Sequence, residues 1–321
     1  MSPNDRLGDP QPAPSRAPLQ APGPRPAPAV TPVSGPDFFP WIAGRPAELA
    51  GRGPVAILML EDEAEVASTI GHYLALGFPR ILALSPDPVP LTREQRLRVT
   101  PLRWSPLGRD AHVATVNAVI AAVPEGTWLH YAWNAEYLFF PFCETRRIGD
   151  LLAFHTEERR DAMMTYVVDL YPGDRSGFPD RIDRQDAMLD ASGYYAVGRR
   201  DKDGHVLERQ YDIHGGLRWR YEEYLPRDRL RLDRVALFRA MTGLRLSPDH
   251  RLSIDEMNTV SCPWHHNLTA AVASFRVAKA LARNPRSRRG IDSFAWSGSV
   301  RFEWSSRQLM DLGMMEPGQW F

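Results

Sequence analysis

The chain has 321 residues, 43% of them apolar, enough to bury a sizeable core in one large domain or two ordinary ones. Its 39 Lys+Arg and 39 Asp+Glu cancel, which removes any global field drawing it to nucleic acid or an anionic membrane and points to a small partner. Two cysteines far apart in the chain, Cys143 and Cys262, argue against a secreted disulfide scaffold and suit a reducing cytoplasm, and no apolar run approaches the roughly 18 to 20 residues of a membrane helix.

Residues 1–36 are dense in Pro and Ala and nearly free of large apolar side chains, so a disordered tail is predicted there, followed by one folded unit over 37–321. The tail lacks the apolar stretch of a secretory signal and reads as a dispensable extension before it reads as a polyproline partner site or spacer. "PVAILML" (54–60) is a buried strand by its short apolar run between turn residues. "EDEAEVASTIGHYLALG" then places Val66, Ile70 and Leu74 at helix spacing and stops on Gly77. "RILALS" (80–85) is a second strand and "RVTPLRW" a weaker one. "DAHVATVNAVIAAVP" is a helix from Asp110 with Val113, Val116 and Ile120 on one side, and "TWLHYAW" (127–133) is a further strand. Strands alternating with amphipathic helices imply an α/β fold with a mainly parallel sheet covered on both faces, whose ligands sit beyond the carboxyl ends of the strands. That rim would gather Glu61, Asp62 and Glu63 after the first strand, Ser85 and Asp87 after the second, and Asn134 and Glu136 after the strand ending near Trp133. The acids at 61–63 equally suit the positive end of a helix.

In the second half, "MMTYVVDLY" (163–171) and "GYYAVGRR" (193–200) are strand-like, and Asp203-Gly204 marks a hairpin turn before "HVLERQYDI". In "HGGLRWRYEEYLP", strand spacing would turn Arg218 and Arg220 to one face, suited to bidentate contact with phosphate or carboxylate; internal pairing with Glu222, Glu223 or Asp212 is the alternative. A C-terminal helix is predicted from about Leu268 to Arg283, with Leu268, Val272, Phe275 and Ala282 on its apolar side and Arg276, Lys279 and Arg283 opposite. That basic stripe reads first as a solvated face and second as an anion contact. Cys262, His265 and His266 fall short of a zinc ligand set, so capping or packing of the following helix comes first for the histidines. Trp133, Tyr137 and Trp219 suit core packing before stacking on a sugar or base, and the terminal Trp320 and Phe321 either fold back or meet a neighbouring chain.

Taken in order, these segments resemble the GT-A glycosyltransferases, and within them bacterial family 2-like proteins. "LMLEDEAEVASTIGHYLALGF" has Asp62-Glu63 where the family has Asn-Glu, then His72 and Gly77. "LALSPD" supplies Ser85 and Asp87, "GGLRWR" matches a Gly-Gly-x-Arg-x-Arg segment, and "DRVALFRA" (233–240) and "AAVASFRVAKAL" complete a series over residues 54–283. The resemblance implies transfer of a hexosyl group from a nucleotide-sugar donor to an acceptor, with a divalent cation, Mn or Mg, on an Asp-x-Asp-Glu-Phe-Leu motif. The chain departs there: Trp133-Asn134-Ala135-Glu136-Tyr137-Leu138 lacks both metal aspartates, and Ser274 stands where relatives often carry His.

No cofactor is therefore certain. The resemblance implies a donor site of Asp62, Glu63, Ser85, Asp87, Asn134, Arg218, Arg220 and Arg276, with arginines neutralising the leaving diphosphate in place of a metal. Glu136 is then either the base, its pKa raised in a partly apolar site, or a fold residue bonding to backbone at the strand end. The two functional expectations are a glycosyltransferase, metal-dependent or not, and a non-catalytic nucleotide-, glycan- or protein-binding descendant.

Overall fold

The computed structural model describes residues 29–51, 53–174, 182–263 and 266–320. Its first half comprises β1 (Thr31–Val33), α1 (Phe38–Ala43), β2 (Val55–Met59), α2 (Val66–Ala75), β3 (Arg80–Ser85), β4 (Val89–Leu91), β5 (Val99–Arg103), α3 (Ala111–Ala122) and β6 (Trp128–Trp133). β2, β3 and β6 are continuous apolar runs because both faces of the sheet are covered. Ile57, Met59, Leu82 and Leu84 pack against Val116, Val119 and Ile120 of α3 and Phe38 and Ile42 of α1. Ala56, Leu58, Ile81 and Ala83 point the other way, toward Ile70 and Tyr73 of α2.

The second half comprises β7 (Glu136–Phe139), α4 (Ile148–Glu157), β8 (Ala162–Asp169), β9 (Tyr171–Pro172), β10 (Ala187–Asp190), β11 (Tyr195–Arg200), β12 (Val206–His214), α5 (Gly216–Arg220), β13 (Asp233–Arg239), β14 (Ala270–Ser274), α6 (Arg276–Arg283), α7 (Pro285–Gly290), β15 (Ser299–Arg301) and α8 (Ser306–Asp311). The main sheet has eight strands in the order β5-β3-β2-β6-β13-β8-β14-β7. β5, β3, β2 and β6 are mutually parallel, as expected. β13 runs antiparallel between β6 and β8, and β7 antiparallel to β14 at the edge, so the sheet is mixed and the fold is α/β with helices on both sides. β11 and β12 form the expected hairpin, with Gly204 at φ 87 in its turn. No helix among the described residues is long and apolar enough to cross a membrane.

Two expectations are corrected. The stretch read as one helix from 268 to 283 divides into strand β14 and helix α6. Ala270–Ser274 is fully buried between β8 and β7, and an unbroken run of apolar residues carries no periodicity to separate strand from helix. The chain becomes helical only after Phe275, where Ser274 Oγ accepts the Arg276 N–H at 3.2 Å. Order also begins inside the expected tail. Residues 1–28 lie outside the described residues, but Thr31–Val33 pairs with Val89–Leu91. The segment continues against β5, where a Cβ on Gly35 would sit 1.7 Å from the Pro101 carbonyl oxygen, so only glycine fits there.

Trp320 folds back, resolving one of the alternatives at the C-terminus; Phe321 lies outside the described residues. The indole stacks on Phe154 at 5.8 Å and carries the Arg146 guanidinium 4.3 Å above its ring. Trp320→Ala is expected to lower the unfolding free energy by about 3 kcal/mol in denaturant titrations at unchanged slope. A loss below about 1 kcal/mol would show that the ring contributes little packing.

Candidate functional site

The parallel pairing of β2 with β6 sets Met59 beside Trp133, so the loops leaving both strands meet at one rim. After β6 the chain reverses through Asn134 and Ala135, the latter left-handed at φ 60 and pinned by its N–H to Thr69 Oγ1 at 2.9 Å. This turn starts β7 on Glu136, which is 1% exposed. One carboxylate oxygen accepts from Trp133 N–H at 3.1 Å and Arg234 Nη1 at 2.9 Å; the other accepts from Arg234 Nη2 at 2.9 Å and Ser274 Oγ at 3.0 Å. Every strong acceptor position of the carboxylate is engaged. Burial alone would raise the Glu136 carboxyl, but the charge and hydrogen bonds of Arg234 outweigh it and hold the group at about 2. A base with a raised pKa, the catalytic expectation for Glu136, is therefore not what the fold builds. Its contacts are those expected of a fold residue, extended beyond backbone to a buried arginine.

Asn134 is buried and joins the two rim loops: its Oδ1 accepts from Glu61 N–H at 3.0 Å, and its Nδ2 donates to Asp62 Oδ1 at 2.6 Å and Ala64 O at 2.8 Å. Glu61 binds Arg276 through two hydrogen bonds of 3.1 and 2.6 Å. The Arg276 guanidinium lies 4.1 Å over the Trp133 ring. Asp62 Oδ2 meets Lys279 Nζ at 2.9 Å and Arg283 Nη1 at 2.6 Å. Burial opposes that charge, yet Lys279 chiefly, with Ala64 N–H and Arg283, holds the Asp62 carboxyl at about 2. The basic stripe of α6 is thus turned toward the acids of the β2 loop, with Lys279 buried and Arg283 still half-exposed.

The two arginines of the Gly-Gly segment do not share a face. Gly216, at φ 61 and close enough to Asp169 that a Cβ would meet its Oδ2 at 3.1 Å, begins the short helix α5 instead of a strand. Positions two apart on a helix diverge by about 200°. Arg218 Nε contacts Asp169 Oδ1 at 3.3 Å, and Arg220 grips Asp190 with bonds of 2.9 and 3.0 Å between Tyr171, Tyr221 and Trp296. Internal pairing holds for both, with Asp169 and Asp190 in place of the expected Glu222, Glu223 or Asp212.

Between these groups lies a cavity of about 470 Å³, lined by Glu61, Asp62, Trp133, Glu136, Arg218, Arg276, Lys279 and Arg283, and also by Arg229, Arg231, Arg234, Asp249 and His250. Neither Asn134 nor Arg220 lines it. Glu63 is exposed, and Ser85 and Asp87 line a separate hollow of about 150 Å³ with residues 33–35. These three positions leave the expected donor site. Trp133 and Tyr137 are buried core aromatics and Trp219 is exposed, outside the cavity lining.

Sequence reasoning missed Arg234, Arg229, Arg231, Asp249 and His250. His250 sits at φ 63, its Nδ1 3.0 Å from Tyr131 OH. Burial, then the charges of Arg234, neighbouring His112, Arg276 and Arg229, push its imidazole far below the usual range, so it is neutral. The only signal for Arg234 was the basic strand "DRVALFRA"; nothing local ties it to Glu136, 98 positions away.

The cavity's acids do not fit a divalent cation. Glu61, Asp62, Glu136, Asp233 and Asp249 are each bound by arginine or lysine, Asn134 is engaged on both ends, and Asp228, largely exposed, has Arg229 near it at 3.9 Å. Among the described residues, the one group spaced to hold a metal is Asp201, Asp203 and His205 in the hairpin turn, none of which lines the cavity. Of the zinc candidates, Cys262 and His266 belong to no such group and His265 lies outside the described residues. No protein-family model matches the chain, and a search of curated proteins finds no match to it.

Removing one partner of the buried pair leaves the other charged and alone, so Glu136→Gln or Arg234→Ala is expected to cost about 3 to 5 kcal/mol of stability. A carboxyl held below its ordinary value of 4.5 contributes stability in full above that pH and loses it as the pH falls toward about 2. Acid titration of the folded protein should therefore show a steep loss across this window that is shallower in Glu136→Gln. Superimposable acid limbs would remove Glu136 from the account.

Proposed function

We propose that the chain is a cytoplasmic glycosyltransferase-like protein of GT-A type that holds the diphosphate of a nucleotide sugar in the arginine-rich cavity at the sheet's rim. Its role in this reading is binding, without transfer through Glu136. The cavity's place supports the donor site: it lies beyond the carboxyl ends of β2 and β6, where open α/β sheets take their ligands. The binding role is carried by one observation, the complete engagement of Glu136 by Arg234, Ser274 and Trp133 N–H, which leaves the expected base no free oxygen. Two free cysteines suit a reducing compartment.

A second reading keeps transfer. His250, on the same cavity wall, would then take the acceptor's proton in place of a carboxylate, against the burial and arginine charges that lower its basicity. Calorimetric titration with UDP, GDP and their sugars, run with and without Mn²⁺ and followed by an assay for released nucleoside diphosphate, separates the two. Saturable binding without release over hours supports the binding role. Steady release that survives Glu136→Gln and disappears in His250→Gln moves the assignment to transfer. Absence of binding by every nucleotide and sugar overturns the donor-site reading.

A further inference from the structure

The α6 side of the cavity has an imbalance of charge. Asp62 Oδ2 alone faces both Lys279 Nζ and Arg283 Nη1, so two positive groups share one carboxylate. The Lys279 side chain is only 7% exposed, and apart from Asp62, 2.9 Å from its Nζ, no acceptor among the described residues meets it. A buried ammonium with unused N–H groups beside a cavity is costly unless something accepts from it. Arg229 adds a guanidinium on the cavity wall; Asp110 and Asp228, the latter also on the wall, lie 3.9 Å from it, within ion-pair range but too far for hydrogen bonds, so its N–H donors keep capacity for a ligand.

We infer that the cavity takes a phosphoanhydride group without a divalent cation, its charge met by Lys279, Arg283 and Arg229; this rests on the donor-site reading above. A phosphoanhydride offers several strong acceptor oxygens and more than one negative charge, which the paired cations on Asp62 and the loosely held Arg229 can answer together. A bridging metal would instead have to displace Arg276 from Glu61 and two cations from Asp62, while Mg²⁺ and Mn²⁺ sites draw on carboxylates free to coordinate. The free pyrophosphate ion and the diphosphate of a nucleotide share this chemistry, and the test separates them.

The experiment is calorimetric titration of the full chain with inorganic pyrophosphate and with UDP-glucose and GDP-mannose, in EDTA and again with Mg²⁺. Pyrophosphate is expected to bind in EDTA, more weakly as salt rises. Arg283→Gln and Lys279→Gln are each expected to weaken it by about tenfold or more, whereas the surface control Arg307→Gln leaves it unchanged. Melting temperature is followed in parallel; if Lys279→Gln fails to fold, half-exposed Arg283 carries the comparison. Binding seen only with Mg²⁺, affinity indifferent to Arg283→Gln, or no binding of pyrophosphate overturns the inference. A nucleotide sugar that binds only with the metal overturns it while leaving the donor-site reading intact. Pyrophosphate binding in EDTA without binding of either nucleotide sugar sustains the cation-independent anion site and removes the donor reading for those sugars.

Discussion

One carboxylate ties the sheet together at its functional rim. Glu136 begins β7, yet its four hydrogen bonds reach β6 through Trp133 N–H, β13 through Arg234 and β14 through Ser274, so a single side chain joins the ends of four strands. β6 and β7 are separated by two residues in sequence but by β13, β8 and β14 in the sheet. The left-handed Ala135 and this ion pair let the chain leave β6 and re-enter at the far edge. An isolated charge there would be untenable; paired in bidentate geometry and fully hydrogen-bonded, it fixes register and orientation.

The same solution recurs along the rim. Glu61 is held by Arg276, Asp62 by Lys279 and Arg283, and Asp169 by Arg218, while away from the rim Asp190 is held by Arg220. Where a carboxylate might have met a metal, it meets a guanidinium or ammonium supplied by a later element of the chain. Ser274 fits this pattern: a hydroxyl at that position donates to Glu136 and accepts from Arg276 N–H, serving the internal network. The cavity that remains is walled largely by ion-paired side chains, with unused hydrogen-bond donors on Lys279 and Arg229 and an exposed carboxylate on Asp228.

Where the sequence was informative, local physics set the outcome. The parallel half was legible because apolar runs and helix periodicity alternate cleanly from residue 54 to 133, and Asp203-Gly204 announced its hairpin through turn chemistry. The failures share a cause in tertiary context. Ala270–Ser274 has no periodicity of its own and became a strand because β8 and β7 flank it. "GGLRWR" coiled into a helix because Gly216 must pass close to Asp169, and that sent Arg220 away from the rim. Asn134 and Asp62 could be placed near one another from strand ends alone and Arg276 only through the resemblance, whereas Arg234 and His250 reach the cavity through the antiparallel β13 and the loop after it, which no local pattern foretold.

The position of β13 also governs how the molecule comes into being. Its neighbours β6 and β8 are both synthesised before it and meet only through it. Until residue 239 has emerged from the ribosome, the assembled β5-β3-β2-β6 half presents a long apolar edge with its peptide groups unpaired, and Glu136 waits without its arginine. Such an edge is a template for mispairing between nascent chains, and the exposure lasts from translation of residue 133 until β13 arrives at residue 239.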